Sequence, residues 1–318
     1  MPLRFVTVDL KQTKIYAVRF TDGGLQEARV ALSTNPQEGV DAGLRRIRSA
    51  IRQVWPMQDA VTAIGLSVPG ILDFKRGVLR SASDLPGWLD VPFRDTLVET
   101  FGVPTFVGKA AGVAALAEHR FGVGQGVADM VYIAVGETLE SGVILDNRLF
   151  TGGNGLGGEI GHIAVALHDS KPVRRNVAYL ETLLSNRTLL RRVRERVANG
   201  ERSLLPEMLN GNLALLTVEV VCEAARQGDV PAMAVLAETG TYLGVAIVSL
   251  MHLLNPALFV LDGIVKFAGD ALLSPMRRSI AVLASETYQE HTRTVLAQFG
   301  NDIGSWGALA LCLMELSL

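Results

Sequence analysis

A glycine-rich stretch near the middle of the chain reads TGGNGLGGEIGH, from Thr151 to His162. Glycine recurs through it at short intervals, and glycine lacks the Cβ atom that keeps other residues away from positive φ and from close backbone contact. The stretch therefore predicts a series of tight turns, and the apolar run IAVA that follows predicts a strand. A dinucleotide-binding loop is disfavoured, because no helix with the expected acidic partner follows the glycines.

Strands and helices alternate on both sides of this glycine-rich stretch. Before it, the β-branched run RFVTVDL and the alternating run KIYAVRF predict a hairpin with its turn near Lys11–Gln12. A helical pattern follows at 34–54, with its N-cap among residues 33–35, and residues 77–90 predict a loop. Further helices are predicted at 92–101, 110–121, within 180–250 and at 303–316, and further strands at 63–70, 104–108, 130–136, 141–146, 257–265 and 294–298.

The pattern restarts after residue 121. Two successive units, each opening with antiparallel strands and continuing with helix–strand alternation, predict two related α/β domains. We place the N-terminal domain at 1–118 and the larger C-terminal domain at 119–302. The last helix, within 303–318, is expected to pack back on the N-terminal domain.

Composition restricts the classes of function. Of the 318 residues, 49% are hydrophobic and 19% are charged, which indicates an ordered core, and a formal net charge of −2 disfavours direct binding of nucleic acid. The start of the chain has no signal-peptide pattern, and the most apolar run, 242–254, is too short to span a bilayer. We therefore expect a cytoplasmic protein without membrane association. Cys222 and Cys312 lie in apolar helical surroundings, which favours buried thiols over a disulfide or a metal pair.

The glycine-rich stretch closely resembles the signature of the ROK (repressor, open reading frame, kinase) family, which runs roughly G-x-x-G-x-x-G-E-I-G-H. Other segments resemble the family's in the same order: VDLKQTK, LSVPG, SDLPGW, AALAE, VYIAVG, LNPALFVLDG and GALAL. The resemblance covers essentially the whole chain. It implies an actin-like, hexokinase-like (ribonuclease H-like) fold of two α/β domains around a central cleft that holds a sugar and ATP, and it favours a homodimer.

The first phosphate loop that the resemblance implies departs from the family's pattern. The family sequence resembles D-x-G-G-T-K, of which Asp9, Thr13 and Lys14 match, whereas Lys11 and Gln12 stand where the family has glycine. Their Cβ atoms resist positive φ and block close approach of a phosphate. Asp9 itself has two interpretations, a remnant of a metal-side carboxylate or a turn cap.

The second phosphate loop resembles G-T-G-I-G-A-G, of which Gly136 and Gly142 match. Glu137 and Glu140 bring negative charge to the place of a triphosphate, and like charges in a partly desolvated cleft repel by an energy on the order of kilocalories per mole. Both loops are therefore expected to be degenerate, with ATP and Mg²⁺ bound only if the protein is a kinase after all.

The catalytic segment of the family resembles E-N-D-A-N-A-A-A-L-A-E, and its general base, the Asp, falls on Ala110. The sugar-binding Asn before the base falls on Lys109, and the later Asn falls on Gly112. A shifted alignment does not restore the base, because no Asp or Glu lies between Val107 and Leu116. Loss of a general base costs roughly 10²–10⁴-fold in rate, so no catalytic residue is expected.

The family's structural zinc site uses one His and three Cys. His162 matches the His, but the Cys positions fall on Pro172, Arg174 and Tyr179. A single imidazole without thiolates cannot hold a structural zinc. The sequence therefore predicts that zinc is absent.

Part of the family's sugar pocket remains. Glu159, His162 and Glu181 match residues that contact sugar hydroxyls in the family, and Gly70 and Asp84 match its substrate loops, with Asp84 where Asn is usual. Structural explanations stay open for the same residues. Glu159 and His162 could be a hydrogen-bonded pair of the scaffold, and a carboxylate such as Glu181 is favoured at a helix N-terminus in any case.

Three hypotheses about function follow. The first is a non-catalytic sugar or metabolite sensor, a regulatory pseudokinase without the DNA-binding domain of ROK transcription regulators, since the fold begins close to Met1. The second is an ATP-dependent kinase for a hexose or an N-acetyl-hexosamine, with a relocated base such as Asp9 or Glu159. The third is a structural oligomer without a ligand.

Overall fold

The computed structural model describes residues 2–58, 60–167 and 177–318. Its contacts divide the chain into two compact units. The domain boundaries suggested by the sequence, 1–118 and 119–302, stay a prediction. The two units are each made of more than one segment of the chain. Unit 1 comprises Met1–Gly126, Gly142–Gly158 and Gln298–Leu318, and unit 2 comprises Val127–Ser141 and Glu159–Ala297.

A five-stranded sheet with the strand order β3-β2-β1-β4-β8 forms the centre of unit 1. Strands β1 and β4 are buried along almost their whole length, as expected for central strands. β1 is antiparallel to β2 and parallel to β4, which sets Asp9 beside Ser67 at the carboxyl ends of two parallel strands. The strands are β1 (Arg4–Leu10), β2 (Lys14–Thr21), β3 (Gln26–Ser33), β4 (Ala63–Val68) and β8 (Thr105–Lys109).

Helices cover both faces of this sheet. Successive side chains of β1 point to opposite sides, so apolar residues of β1 lie on both faces and pack against helices. Val6 and Val8 belong to the hydrophobic core that includes Ile47 of helix α1. Phe5 belongs to the core on the other face, with Cys312 of helix α12. The helices of unit 1 are α1 (Val40–Val54), α2 (Phe93–Phe101), α3 (Ala110–Phe121) and α12 (Ile303–Glu315).

A small antiparallel sheet, β5 (Ile71–Asp73), β6 (Val78–Ser81) and β7 (Leu89–Pro92), follows β4. The loop before β7 is held by Trp88, which is fully buried and whose indole N–H donates to the carbonyl of Pro36 at 3.3 Å. Gly43 of α1 faces the indole ring, because a Cβ at Gly43 would lie 2.2 Å from it.

A second five-stranded sheet has the order β11-β10-β9-β14-β15, and β14 is parallel to both of its neighbours. The chain passes from unit 2 to unit 1 within β10, after Ser141. In unit 2, β12 and β13 form an antiparallel pair with Ala164 opposite Tyr179. The strands are β9 (Met130–Val135), β10 (Leu139–Leu145), β11 (Arg148–Leu149), β12 (Ala164–Leu167), β13 (Val177–Tyr179), β14 (Leu258–Gly263) and β15 (Arg293–Leu296).

The longest helix, α8, has 25 residues, and by length and composition it could cross a membrane. The sequence-based segment 242–254 was too short for that only because it omitted the first half of the helix, from Val230. In unit 2, α8 packs closely on α10, since a Cβ at Gly240 would lie 2.1 Å from the Leu272 carbonyl oxygen. The helices of unit 2 are α4 (Glu181–Leu184), α5 (Asn186–Ala198), α6 (Leu205–Met208), α7 (Val218–Arg226), α8 (Val230–Leu254), α9 (Val265–Ala268), α10 (Asp270–Leu283) and α11 (Glu286–His291).

Several sequence-based elements are confirmed and others are wrong. The first hairpin, the helix at 110–121 and the last helix are present. The N-cap expected among residues 33–35 is wrong, because α1 begins only after Gly39, which has a φ of +85° and follows a short 3₁₀ turn. The loop expected at 77–90 is also wrong in part, since it contains β6 and the start of β7.

Candidate functional site

The β1–β2 hairpin carries the residues expected to form the first phosphate loop. Asp9 is the second-last residue of β1 and is 3% exposed. Its carboxyl group lies against Gly304 in the first turn of α12, where a Cβ would be 2.2 Å from the Asp9 Cγ. Burial raises the pKa of the Asp9 carboxyl above its ordinary value, although Lys11 and the hydroxyl of the neighbouring Ser67 oppose this shift.

Lys11 turns its ammonium group back toward Asp9. The Nζ atom lies 3.4 Å from the Asp9 Oδ2 and donates a hydrogen bond of 2.8 Å to the carbonyl of Asn301, just before α12. It also lies 5.6 Å from the centre of the Tyr16 ring, within the range of a cation–π contact. Three groups of unit 1 therefore fix the charged end of Lys11 beside Asp9.

The hairpin turn closes without the glycines of the family pattern. The backbone N–H of Lys11 donates to the carbonyl of Lys14 at 2.9 Å, and neither Lys11 nor Gln12 has a positive φ. Gln12, Thr13 and Lys14 are exposed. The Lys11 ammonium therefore occupies the position beside the Asp9 carboxylate where a bound cation would lie.

Ala110, at the family's position for the general base, is the first residue of α3. The first turn of this helix has no acidic residue, and Lys109 is its N-cap residue. Gly112, at the position of the later Asn, faces the Leu149 side chain, which would lie 3.2 Å from a Cβ there. This turn therefore offers a methyl group and an apolar contact where the family motif would supply acid and amide groups.

Glu118, the acidic residue at the other end of α3, has a structural position. It is fully buried, and its carboxylate accepts hydrogen bonds from the backbone N–H groups of Val123 at 3.2 Å and Phe299 at 3.0 Å. Both partners are in unit 1, so Glu118 ties the end of α3 to the segment before α12. Both carboxylate oxygens of Glu118 therefore have structural contacts.

The segment expected to form the second phosphate loop is hydrogen-bonded to the start of α5. The carbonyl of Gly136 accepts from the backbone N–H of Asn186 at 2.8 Å, and the Asn186 side chain donates to the exposed Glu137 at 3.5 Å. Glu140 is half-buried. Gly142, which matches the family pattern, lies in unit 1 against α3, where a Cβ would be 2.4 Å from the Ala111 carbonyl oxygen. Close packing on α3 is a sufficient reason for this glycine.

The glycine-rich stretch folds into turns, as predicted. Gly155 has a φ of +86°, and a Cβ there would lie 3.1 Å from the Phe74 Cβ. Lys75, in the turn after β5, donates to the carbonyl of Gly153 at 3.1 Å. These contacts lie within unit 1 and join residues 152–155 to the segment that follows the expected substrate loop.

Gly70 and Asp84, the two expected substrate-loop residues, lie in unit 1 on either side of β5 and β6. Gly70 has a φ of +86°, and a Cβ would lie 2.3 Å from the Ser81 carbonyl oxygen, so only glycine fits there. Asp84 is exposed and accepts a hydrogen bond from the Ser83 hydroxyl at 3.2 Å.

Glu159, His162 and Glu181, the other expected sugar residues, lie in unit 2. Glu159 and His162 flank a short 3₁₀ turn, in which the backbone N–H of His162 donates to the Glu159 carbonyl at 3.2 Å. The Glu181 carboxylate accepts from the backbone N–H of Leu139 at 3.3 Å. Gly161 lies between them, and a Cβ there would be 2.7 Å from the Leu139 carbonyl oxygen. Glu181 therefore has a structural contact as well as the position of a sugar ligand.

His162 packs on Tyr179, which stands at one of the family's Cys positions. Their ring centroids are 6.2 Å apart at an interplanar angle of 83°, an edge-to-face arrangement. Pro172 and Arg174, the other two Cys positions, lie outside the described residues. Within residues 2–58, 60–167 and 177–318 no group of three or more His, Cys, Asp and Glu side chains could hold a metal ion. The absence of zinc stays a prediction.

Comparison with known proteins identifies the family of this chain. Residues 5–315 match the ROK family, so the chain belongs to the ROK family. It is 30% identical over 308 residues to a glucokinase of Halalkalibacterium halodurans, covering 95% of this chain and 93% of that one. It is 27% identical to a putative xylose repressor of a Caldicellulosiruptor species, covering 85% of this chain and 67% of the repressor.

The fold is that of the ROK sugar kinases, an actin-like and hexokinase-like pair of α/β domains. A crystal structure of a ROK glucokinase from Streptomyces griseus with glucose and AMPPNP superimposes with a TM-score of 0.78 at 28% identity, over 97% of this chain and 98% of that one. The predicted fold class is therefore confirmed. Relatives of the chain include both sugar kinases and repressors.

Three features of the site were missed by the sequence analysis. The ion pair of Lys11 with Asp9, the backbone ties of Glu118 and the pairing of His162 with Tyr179 all depend on side-chain directions. For Glu118 a signal existed, since a charged residue ending the apolar stretch AAGVAALA on a buried helix needs partners.

Proposed function

We propose that this protein is a ROK-family sugar-binding protein that does not transfer phosphoryl groups, a regulatory or sensing member of the family. The observation that carries the proposal is the first turn of α3, where Ala110 replaces the base and no acidic residue follows. A hydroxyl group attacks a phosphate efficiently only when a nearby group accepts its proton. The buried Glu118 cannot serve, because its two backbone partners hold it at the far end of the helix.

Sugar binding is supported by the residues that the chain retains. Glu159 and His162 lie at the two ends of one short turn, and His162 is exposed. Gly70 keeps a backbone conformation that only glycine adopts easily. Carboxylate, imidazole and backbone groups of this kind are suited to hydrogen-bonding sugar hydroxyls.

A thermal-shift screen of unphosphorylated hexoses, pentoses and N-acetyl-hexosamines tests the proposal. A ligand at 100 times its Kd stabilises the folded state by about 2.7 kcal/mol, so one sugar is expected to raise Tm by several degrees. The Glu159→Gln variant is expected to lose this response, and Glu195→Gln, which changes an exposed carboxylate of α5, to keep it. A screen without any stabilising sugar would contradict sugar binding and favour a structural oligomer.

A second candidate function is an ATP-dependent sugar kinase, and the glucokinase relatives favour it. The relative from Halalkalibacterium halodurans is 30% identical over nearly the whole chain. On this alternative the base is relocated to Asp9 or Glu159. A coupled assay of ATP consumption with each sugar tests it, and turnover that disappears in Glu159→Ala or Asp9→Asn would establish the kinase and end our proposal.

The proposal also covers location and partners. We expect a cytoplasmic homodimer that binds a small sugar without direct contact to nucleic acid or to a membrane. In support, the apolar helix α8 packs on α10 within unit 2 and has many buried residues. Light scattering coupled to size-exclusion chromatography measures the oligomeric state, and a monomer at micromolar concentration would contradict the dimer.

A further inference from the structure

The Asp9 carboxylate has the surroundings of a cation site rather than those of a turn cap. It is buried between β4 and the first turn of α12, where the Ser67 hydroxyl and the Lys11 ammonium are the side-chain donors that favour its charged form. A buried carboxylate is costly unless it is hydrogen-bonded and a positive charge lies near it. In this chain that charge is the ammonium of Lys11, at 3.4 Å from the Oδ2.

The ammonium is held in this position by groups other than Asp9. The Asn301 carbonyl accepts its hydrogen bond at 2.8 Å, and the Tyr16 ring lies beneath it at 5.6 Å. Arg29 also lies over Tyr16, 5.2 Å from the ring centre, and pairs with Asp302 at 2.6 Å. Tyr16 of β2 and Asn301 before α12 therefore orient the Lys11 side chain toward Asp9.

We infer that Lys11 is a tethered cation that takes the place of a nucleotide-bound divalent cation at Asp9 and keeps the first phosphate loop closed. The inference deepens the proposed function, on which it rests in one respect, that the wild-type protein does not use nucleotide. An ammonium on the chain itself competes at an effective concentration that a free ion cannot match. Removing the Lys11 side chain therefore opens the site, and shortening the neighbouring Gln12 lets a phosphate approach the backbone.

The experiment measures binding of ADP with Mn²⁺ to wild-type protein and to the Lys11→Gly/Gln12→Gly double variant. Loss of the free Mn²⁺ signal in electron paramagnetic resonance reports the cation, and calorimetry with ADP, in Mn²⁺ or in EDTA, reports the nucleotide. We expect no detectable binding by the wild type. We expect cation-dependent binding by the double variant, with a Kd at least tenfold below the highest nucleotide concentration at which the wild type shows none. Lys11→Arg is the matched control that keeps the charge, and Gln12→Gly alone is the control that frees the backbone, so neither is expected to bind.

Two results would overturn the inference: tight binding of Mn²⁺·ADP by the wild type, or none by a folded double variant. If the double variant fails to fold, Lys11→Ala replaces it under the same criteria. The outcome is separable from that of the proposed function. If the wild type binds no sugar, the proposed sugar binding is contradicted and the Lys11 experiment is unaffected. If a folded double variant does not bind Mn²⁺·ADP, only the Lys11 inference is contradicted.

Discussion

The β1–β2 hairpin of unit 1 and residues 159–181 of unit 2 both keep acidic or imidazole groups of the family motifs, but their new partners differ in kind. At Asp9 the partner is a charge, the ammonium of Lys11, inside a buried and tightly packed site. At His162 the partner is an aromatic ring, Tyr179, and both side chains are exposed. The difference indicates that a buried carboxylate demands a cation, whereas an exposed imidazole tolerates simple packing.

The largest effect is expected where the hairpin site has no room. Gly304→Ala would place a Cβ 2.2 Å from the Asp9 Cγ, so the carboxylate or the start of α12 must move. We expect a loss of about 1–3 kcal/mol in the free energy of unfolding, although Gly→Ala within a helix normally stabilises. Urea unfolding monitored by circular dichroism measures the change.

Gly300→Ala is the matched control for this substitution. It lies just before α12, four positions from Gly304, and a Cβ there would meet no atom within 4 Å. We expect a change within about 0.5 kcal/mol. Equal effects at the two glycines would show that the Asp9 site is not tightly packed, so that it would not differ in packing from the exposed pair of His162 and Tyr179.

A smaller effect, with a defined sign, is expected for the dependence on pH. Because burial raises the pKa of Asp9 in the folded protein, the unfolded chain ionises first as the pH rises from about 3.8. The contribution of Asp9 to stability is therefore present at lower pH and is lost as the pH rises through its folded pKa. Relative to Asp9→Asn, the wild type should lose stability over this interval, which thermal unfolding at a series of pH values measures. A difference that grows in the opposite direction would mean that Lys11 outweighs burial.

Sequence reasoning predicted the parts of the molecule whose signal is local. The continuous apolar runs of β1 and β14 and the Ala-rich α3 are of this kind, and the family motif located Ala110. β3 was missed because its residues QEARVALS mix charged and apolar residues, in keeping with its place at the edge of the sheet. An edge strand is satisfied by pairing on one side and needs no continuous apolar run.

The partners in the candidate site could not be predicted, because they come from distant parts of the chain. Lys11 depends on Asn301, which is 290 positions away, and on Tyr16 across the hairpin. From the motif, Lys11 is only a Cβ that obstructs a phosphate, and the position of its ammonium group does not follow from the sequence. The direction in which a charged side chain points follows from tertiary packing, and a short sequence motif carries no information about that packing.

A weaker interaction is expected between His162 and Tyr179 in unit 2. The free energy that couples His162 and Tyr179 is measured by a double-mutant cycle with His162→Ala, Tyr179→Ala and the double variant. We expect about 0.5 kcal/mol, the low end for aromatic pairs, because both rings are exposed. A coupling of several kilocalories per mole would indicate that the pair has partners beyond the ring contact.

Metal removal is expected to have the smallest effect, namely none. Where zinc is structural, its binding free energy is part of the folding free energy, so a chelator lowers Tm strongly. The only two thiols of this chain are buried in helices α7 and α12, and burial raises the pKa of Cys222 to about 11. Neither thiol is therefore available as a thiolate beside His162, and Tyr179 packs on the imidazole instead. Tm should be the same in EDTA and in added Zn²⁺, and a fall with chelator that zinc reverses would make a metal, rather than a ring, the partner of His162.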